Sequence, residues 1–105
     1  MAEHLNVVPD DLRRAAREHR QTAETLGAAP AGHADVMASL DSLGPIFAEF
    51  RSAGGELLAQ RRACYEQQAA AHAEMADRLN HAAETWEAQD AENAQRLRNV
   101  NEGGI

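Results

Sequence analysis

The sequence has no lysine, one cysteine, three prolines, and only two phenylalanines, one tyrosine and one tryptophan. Each shortage excludes something. Cys64 has no second cysteine to join, so no intrachain disulfide exists and cysteine usage does not report the redox compartment. Without lysine, all 10 basic residues are arginine, set against 17 acids for a formal net charge of −7. No basic stripe is left to displace counterions from phosphates, which argues against a nucleic-acid partner. No apolar run approaches the length of a membrane span. The lead-in Leu5-Asn6-Val7-Val8, after Ala2-Glu3-His4, is too short for a secretory signal and lacks its positive flank. Hydrophobic residues make up 44% of the chain, but about half of them are alanine. Large core side chains are therefore scarce, which favours extended helices packed through small residues, with a partner chain supplying missing burial, over a thick globular core.

What the chain does have is a long proline-free run from Ile46 to Val100, most regular between Met75 and Leu97. Phe47, Phe50, Leu57, Cys64, Gln68, His72, Met75, Leu79, Ala82, Trp86, Asn93, Leu97 and Val100 recur at steps of three, four and seven. That is the spacing of a helix with one buried face. The remaining positions, mostly Gln, Glu, Arg, Asp and Ala, suit a solvated helix surface. The stripe needs a cover, and the only tryptophan, Trp86, lies near its far end with Asp90 four residues on.

In chain order, Pro9 at a first helical position, followed by Asp10 and Asp11 at the positive end of the dipole, predicts a helix over residues 9–28. Leu12, Ala15 or Ala16, His19, Ala23 and Leu26 share its inner face. Gly27, Pro30 and Gly32 end it. Residues 33–43 read as a shorter helix with Val36, Leu40 and Leu43 on one side, and the pattern there is equally compatible with a kinked continuation of the first helix. Gly44-Pro45 is the clearest break, a turn from which Ile46, Phe47 and Phe50 seat the start of a long helix over residues 46–100. Gly54-Gly55 is expected to weaken or kink that helix, at about 1 kcal/mol per glycine relative to alanine. Residues 101–105 are expected to fray. The whole reads as one all-α helical-hairpin domain over residues 1–105.

Helix geometry limits how the hairpin closes. At about 1.5 Å per residue the long helix spans roughly 80 Å, while residues 9–43 reach only about 50 Å even if wholly helical. The last fifteen to twenty residues, with Trp86 and Asp90 among them, are therefore expected to overhang.

Three stretches resemble a known family. Val7-Val8-Pro9-Asp10-Asp11-Leu12, followed by Ala16, His19 and Ala23, resembles the opening of the EspC-like type VII secretion target family of actinobacteria, relatives of the WXG100 proteins. Gly44-Pro45-Ile46-Phe47-Ala48-Glu49-Phe50 resembles its central turn. Trp86-Glu87-Ala88-Gln89-Asp90-Ala91 falls where that family carries a C-terminal aromatic-x-x-x-acid export signal, with Trp86 in place of the usual tyrosine. The resemblance implies a WXG100-like hairpin whose bundle is completed by homo- or heterodimerisation. It also implies export from the cytoplasm by an ESX-type machine without a cleaved leader, and action within a heteromeric or self-assembled secreted complex. Its partners would be proteins of the secretion system, including the motor ATPase.

Residues four apart on a helix are neighbours, so Trp86 and Asp90 present an apolar plate beside an anion, a pairing suited to a receptor pocket. Met75, Leu79 and Leu97 would extend that partner surface. The plainer alternative makes Trp86 the anchor that packs the helix to a dimer mate. A cytoplasmic adaptor or scaffold packing against a partner bundle is the alternative function. His19 and His72 lack a carboxylate ligand set and no Glu-x-x-His pair occurs, so neither a metal site nor a di-iron bundle is expected. Cys64 has no base partner in the pattern, the acid pairs suit a solvated face, and no phosphate loop exists. Neither enzymatic activity nor a cofactor or small-molecule substrate is expected.

Overall fold

The computed structural model describes residues 7–103. The first half of the expected lead-in, and Gly104 and Ile105 of the expected tail, lie outside the described residues. Three α-helices, α1 (Pro9–Ala28), α2 (His33–Asp41) and α3 (Ala48–Gly103), are joined by 3₁₀ turns at Ala29–Gly32 and Pro45–Phe47. The fold is all-helical, and no strand occurs among the described residues. The chain divides into two compact units, one containing α1 as far as His19 together with α3 from Glu74, the other running from Arg20 to Ala73.

In the first unit, α1 starts where proline and the acids place it. The Val8 carbonyl accepts the Asp11 N–H at 2.9 Å and the Leu12 N–H at 3.3 Å, and Asp10 and Asp11 occupy the first turn. Those acids face the positive end of the dipole and pair one turn on, Asp10 with Arg13 at 3.4 Å and Asp11 with Arg14 at 2.9 Å. The buried residues are all alanines: Ala16 on α1, Ala76 and Ala83 on α3. Seven residues are two turns, so Ala76 and Ala83 share a side of α3. Glu87, one further turn along that side, is bonded to Arg13 of α1, which identifies it as the side facing α1. No large side chain is fully buried among the described residues, so this seam is held by close approach of small residues.

The second unit contains a helical hairpin. The chain leaves α1 through a 3₁₀ turn in which Pro30 is buried, and α2 begins as a separate helix. At its end, Ser42 N–H reaches the Ala38 carbonyl and Leu43 N–H the Leu40 carbonyl, each at 3.1 Å. Gly44 then takes φ 83° and ψ 178°, a conformation open essentially to glycine alone, and its carbonyl accepts the Phe47 N–H at 3.2 Å. Asp41 meets Arg51 at 3.9 Å, Leu40 lies over Gly54, and Met37 lies over Gly55. Residues earlier in α2 thus meet residues later in α3, the mark of an antiparallel pair.

Four expectations are corrected here. The inner face of α2 is His33, Met37 and Leu40, while Val36 and Leu43 are exposed. Gly54-Gly55 does not interrupt α3, which is helical throughout; the glycines make room for α2. The packed side of α3 is also not the side with the largest apolar residues. Arg51, Leu58 and Ala76 are buried or half-buried, while the residues just before them, Phe50, Leu57 and Met75, are exposed. One residue is about 100° of rotation. A close seam admits Gly and Ala and turns bulky side chains to its flank. α3 also continues beyond Asn101, where fraying was expected, to Gly103.

Candidate interaction surface

Past the alanine seam of the first unit, every residue of α3 from Glu84 to Glu102 is exposed, although Glu87 still meets α1. Trp86 and Asp90 lie in this stretch, one turn apart. Trp86 is 38% exposed and Leu97 67% exposed, and Val100 is open to a similar degree. Met75 is exposed as well, whereas Leu79 is half-buried, so of the expected partner residues Leu79 lies nearest the packed seam. No ion pair of Asp90 occurs among the described residues. A half-open indole beside an unneutralised carboxylate presents apolar area and a charge together.

The residue between them is held. Arg13 donates from Nη1 to Glu87 Oε2 at 3.0 Å and from Nη2 to Glu87 Oε1, a two-pronged bond from α1 to α3. Arg13 accordingly pulls the Glu87 carboxyl below its ordinary range, chiefly through the hydrogen bond, and its own pKa is raised by the same bond. The pair marks the side of α3 that faces α1, with Trp86 on its flank. Sequence pattern gave no hint of it, because a link across 74 residues has no periodicity. The seven-residue step from Ala76 to Ala83 was a legible sign of the seam, masked by the larger residues beside it.

In the second unit, the turn residues Gly44, Pro45, Phe47 and Phe50 form an apolar tip. Phe47 and Phe50 are exposed and Ile46 is 87% exposed; they do not seat α3 against the preceding arm. A groove of about 500 Å³ lies between α2 and α3, with His33, Met37, Leu58 and Arg62 on its walls. A smaller pocket of about 240 Å³ on α3 is lined by Arg61, Cys64, Tyr65 and Gln68. There Arg61 donates to the Tyr65 hydroxyl at 2.9 Å with its guanidinium 5.4 Å from the ring centroid. Gln68 reaches Cys64 Sγ at 3.4 Å, and the His33 and Tyr65 rings lie 6.4 Å apart at a tilt of 47°.

Among the described residues, no group of three His, Cys, Asp or Glu could hold a metal ion, and no helix is long and apolar enough to cross a membrane. The surface offers exposed apolar residues, charges and open pockets.

Comparison with known proteins bears out the family resemblance. The family described as "Excreted virulence factor EspC, type VII ESX diderm" matches residues 1–99. The chain is 44% identical over 103 residues to "Uncharacterized protein Rv0027" of Mycobacterium tuberculosis strain H37Rv, covering 98% of each chain. It has the same identity and coverage with "Uncharacterized protein Mb0028" of Mycobacterium bovis. No solved structure matches at a significant level.

Proposed function

Since the chain belongs to the EspC family of type VII ESX excreted factors, we propose that it is itself a substrate of an ESX-type machine and works by protein contact rather than catalysis. Trp86 and Asp90 form its export signal, read on α3 by the motor ATPase of the secretion system. The chain leaves from the cytoplasm through that machine. Outside, it acts as an effector or structural component in a complex with other proteins, its WXG100-like hairpin completed by a partner's helices.

The observation that carries this reading is that every residue from Glu84 to Glu102 is exposed in unbroken helix, with Trp86 half-open among them. A receptor can reach the indole and the carboxylate together without unfolding anything. An apolar side chain that desolvates into a pocket beside a pairable charge is the usual composition of a recognition hot spot. Leu97 and Met75 supply further contact area on the same helix.

The test is export of Trp86→Ala and Asp90→Ala from a host with the cognate machine. The expected result is loss of the protein from culture filtrate while folded protein accumulates in the cell. Export of both variants at the wild-type level would refute the signal. Recovery of wild-type protein only from cells, under conditions where the machine exports other substrates, would favour a cytoplasmic adaptor instead.

A further inference from the structure

Within the first unit, the exposed part of α3 has a symmetry of its own. Trp86 lies seven residues before Asn93 and Val100 seven residues after it, all three exposed and in unbroken helix. Seven residues are close to two whole turns, so the three share a side, and Leu97 joins them four residues past Asn93. An apolar residue thus stands at the same distance on either side of a single polar one. Such an order is self-complementary when a second copy is laid antiparallel: each tryptophan meets the other copy's Val100, and Asn93 meets Asn93.

We propose that the chain forms a two-fold symmetric antiparallel homodimer through this stretch of α3, with Asn93 on the axis, Trp86 packed against Val100 and Leu97 of the second copy, and Asp90 paired with that copy's Arg98. A contact of this kind is isologous and closes at two chains. The indole gains most by being covered, because it carries the largest apolar area on the stripe. Asn93 sets the register. Its amide both donates and accepts, so two of them bond each other across the axis, whereas a partner slid along the helix would leave both amides against apolar side chains.

Charge selects the orientation. In the exposed stretch Glu84, Glu87, Asp90 and Glu92 precede Asn93 with no base among them, and Arg96 and Arg98 follow it, with Glu102 the one acid on that side. Antiparallel pairing lays the acidic half of each copy on the arginine half of the other, whereas parallel pairing sets like on like, which is repulsive. Glu87 and Glu92 already have arginine partners within the chain. Asp90 has no ion pair among the described residues, and Arg98 donates to the neutral Gln95 side chain at 2.5 Å. Eight residues are about 80° of rotation, so Asp90 and Arg98 lie toward the same edge of the stripe. In a two-fold antiparallel pair like edges face each other. Asp90, three residues before the axis, then lies about 3 Å along the helix from the level of the second copy's Arg98, five residues past it, a gap that an arginine side chain spans. The dimer covers the residues assigned above to export, so the motor and a second copy compete for one surface. It does not depend on that assignment, because association is measured on purified protein and export in cells.

Sedimentation equilibrium of the full chain tests it. The wild type is expected to dimerise, and Asp90→Arg and Arg98→Asp are each expected to weaken the dimer by about tenfold, since each sets like charges together twice. The Asp90→Arg/Arg98→Asp double variant restores the pairing in reverse and is expected to recover to within about threefold of wild type. Both positions are exposed, and circular dichroism checks that the helix is kept. Orientation is read from cysteines placed in a Cys64→Ser background and oxidised with oxidised glutathione. Asn93→Cys is expected to link to itself across the axis, and Val100→Cys to stay unlinked, because two such thiols lie about 21 Å apart along the pair. A parallel pair in register would link both. A wild type still monomeric at about 100 µM, single and double charge variants that associate alike, or a Val100→Cys link as ready as that of Asn93→Cys would each overturn the proposal.

Discussion

Leu40 occupies the space that a side chain at Gly54 would need: a Cβ placed there would lie 2.7 Å from Leu40 Cδ1. One turn earlier in α2, Met37 is more generous, since a Cβ at Gly55 would lie 3.8 Å from its terminal methyl. Adjacent glycines on one helix thus face different constraints. Gly55→Ala is expected to stabilise by about 0.5–1 kcal/mol through helix propensity. Gly54→Ala gains the same propensity but must displace Leu40, and is expected to fall below Gly55→Ala by about 1–3 kcal/mol. Chemical denaturation of both in wild-type and Leu40→Ala backgrounds checks this. In the Leu40→Ala background the two substitutions should become equivalent.

Gly44 is held in place by its backbone rather than by crowding, since nothing lies within 4 Å of an added Cβ there. At φ 83° and ψ 178° a residue with a Cβ is strained, so Gly44→Ala is expected to cost about 1–3 kcal/mol. A thermal melt beside wild type measures it. An unchanged melting temperature would show that the turn is not needed in this form.

The bond from Arg13 holds the Glu87 carboxyl below its ordinary pKa. The stability it lends is therefore present above that ordinary value and is lost as pH falls through the lowered one. Both side chains are partly exposed, so the effect should be small and weaken with salt. An NMR titration of the Glu87 carboxyl should show its midpoint rise toward the ordinary glutamate value in Arg13→Ala. An unmoved midpoint would mean that the two-pronged bond is not kept in solution.

Ala83 is fully buried and Ala88 is exposed, although both are alanines in the same helix. Ala83→Leu forces a large side chain into the close seam and is expected to destabilise by about 1–3 kcal/mol. Ala88→Leu is expected to stay within about 0.5 kcal/mol of wild type. Denaturation midpoints of the two variants compare them directly, and equal midpoints would dispose of the alanine seam.

Much of this was readable before any coordinates. Pro9 with two acids behind it marks a helix start for electrostatic and steric reasons that need no tertiary context, and α1 begins there. Gly44-Pro45 marks a break for equally local reasons. The inner face of α1 was also legible, because Leu12, Ala16, His19, Ala23 and Leu26 have no competing stripe beside them. On α2 and α3 the largest apolar residues do not mark the packed side: Val36, Leu43, Phe50 and Leu57 are exposed, because a seam narrow enough for Leu40 to lie on Gly54 turns large side chains away.

By itself, then, the chain determined what depends on near neighbours: helical content, the starts and stops of helices, the acidic balance, and the family to which it belongs. Only the tertiary structure decided which side of α3 is spent on its own fold and which is left for others. Arg13 with Glu87, and Leu40 with Gly54, join residues far apart in sequence, and such pairings leave no periodic trace. In the second unit α2 covers the glycines of α3, and in the first the alanines are covered while Trp86, Leu97 and Met75 stay exposed.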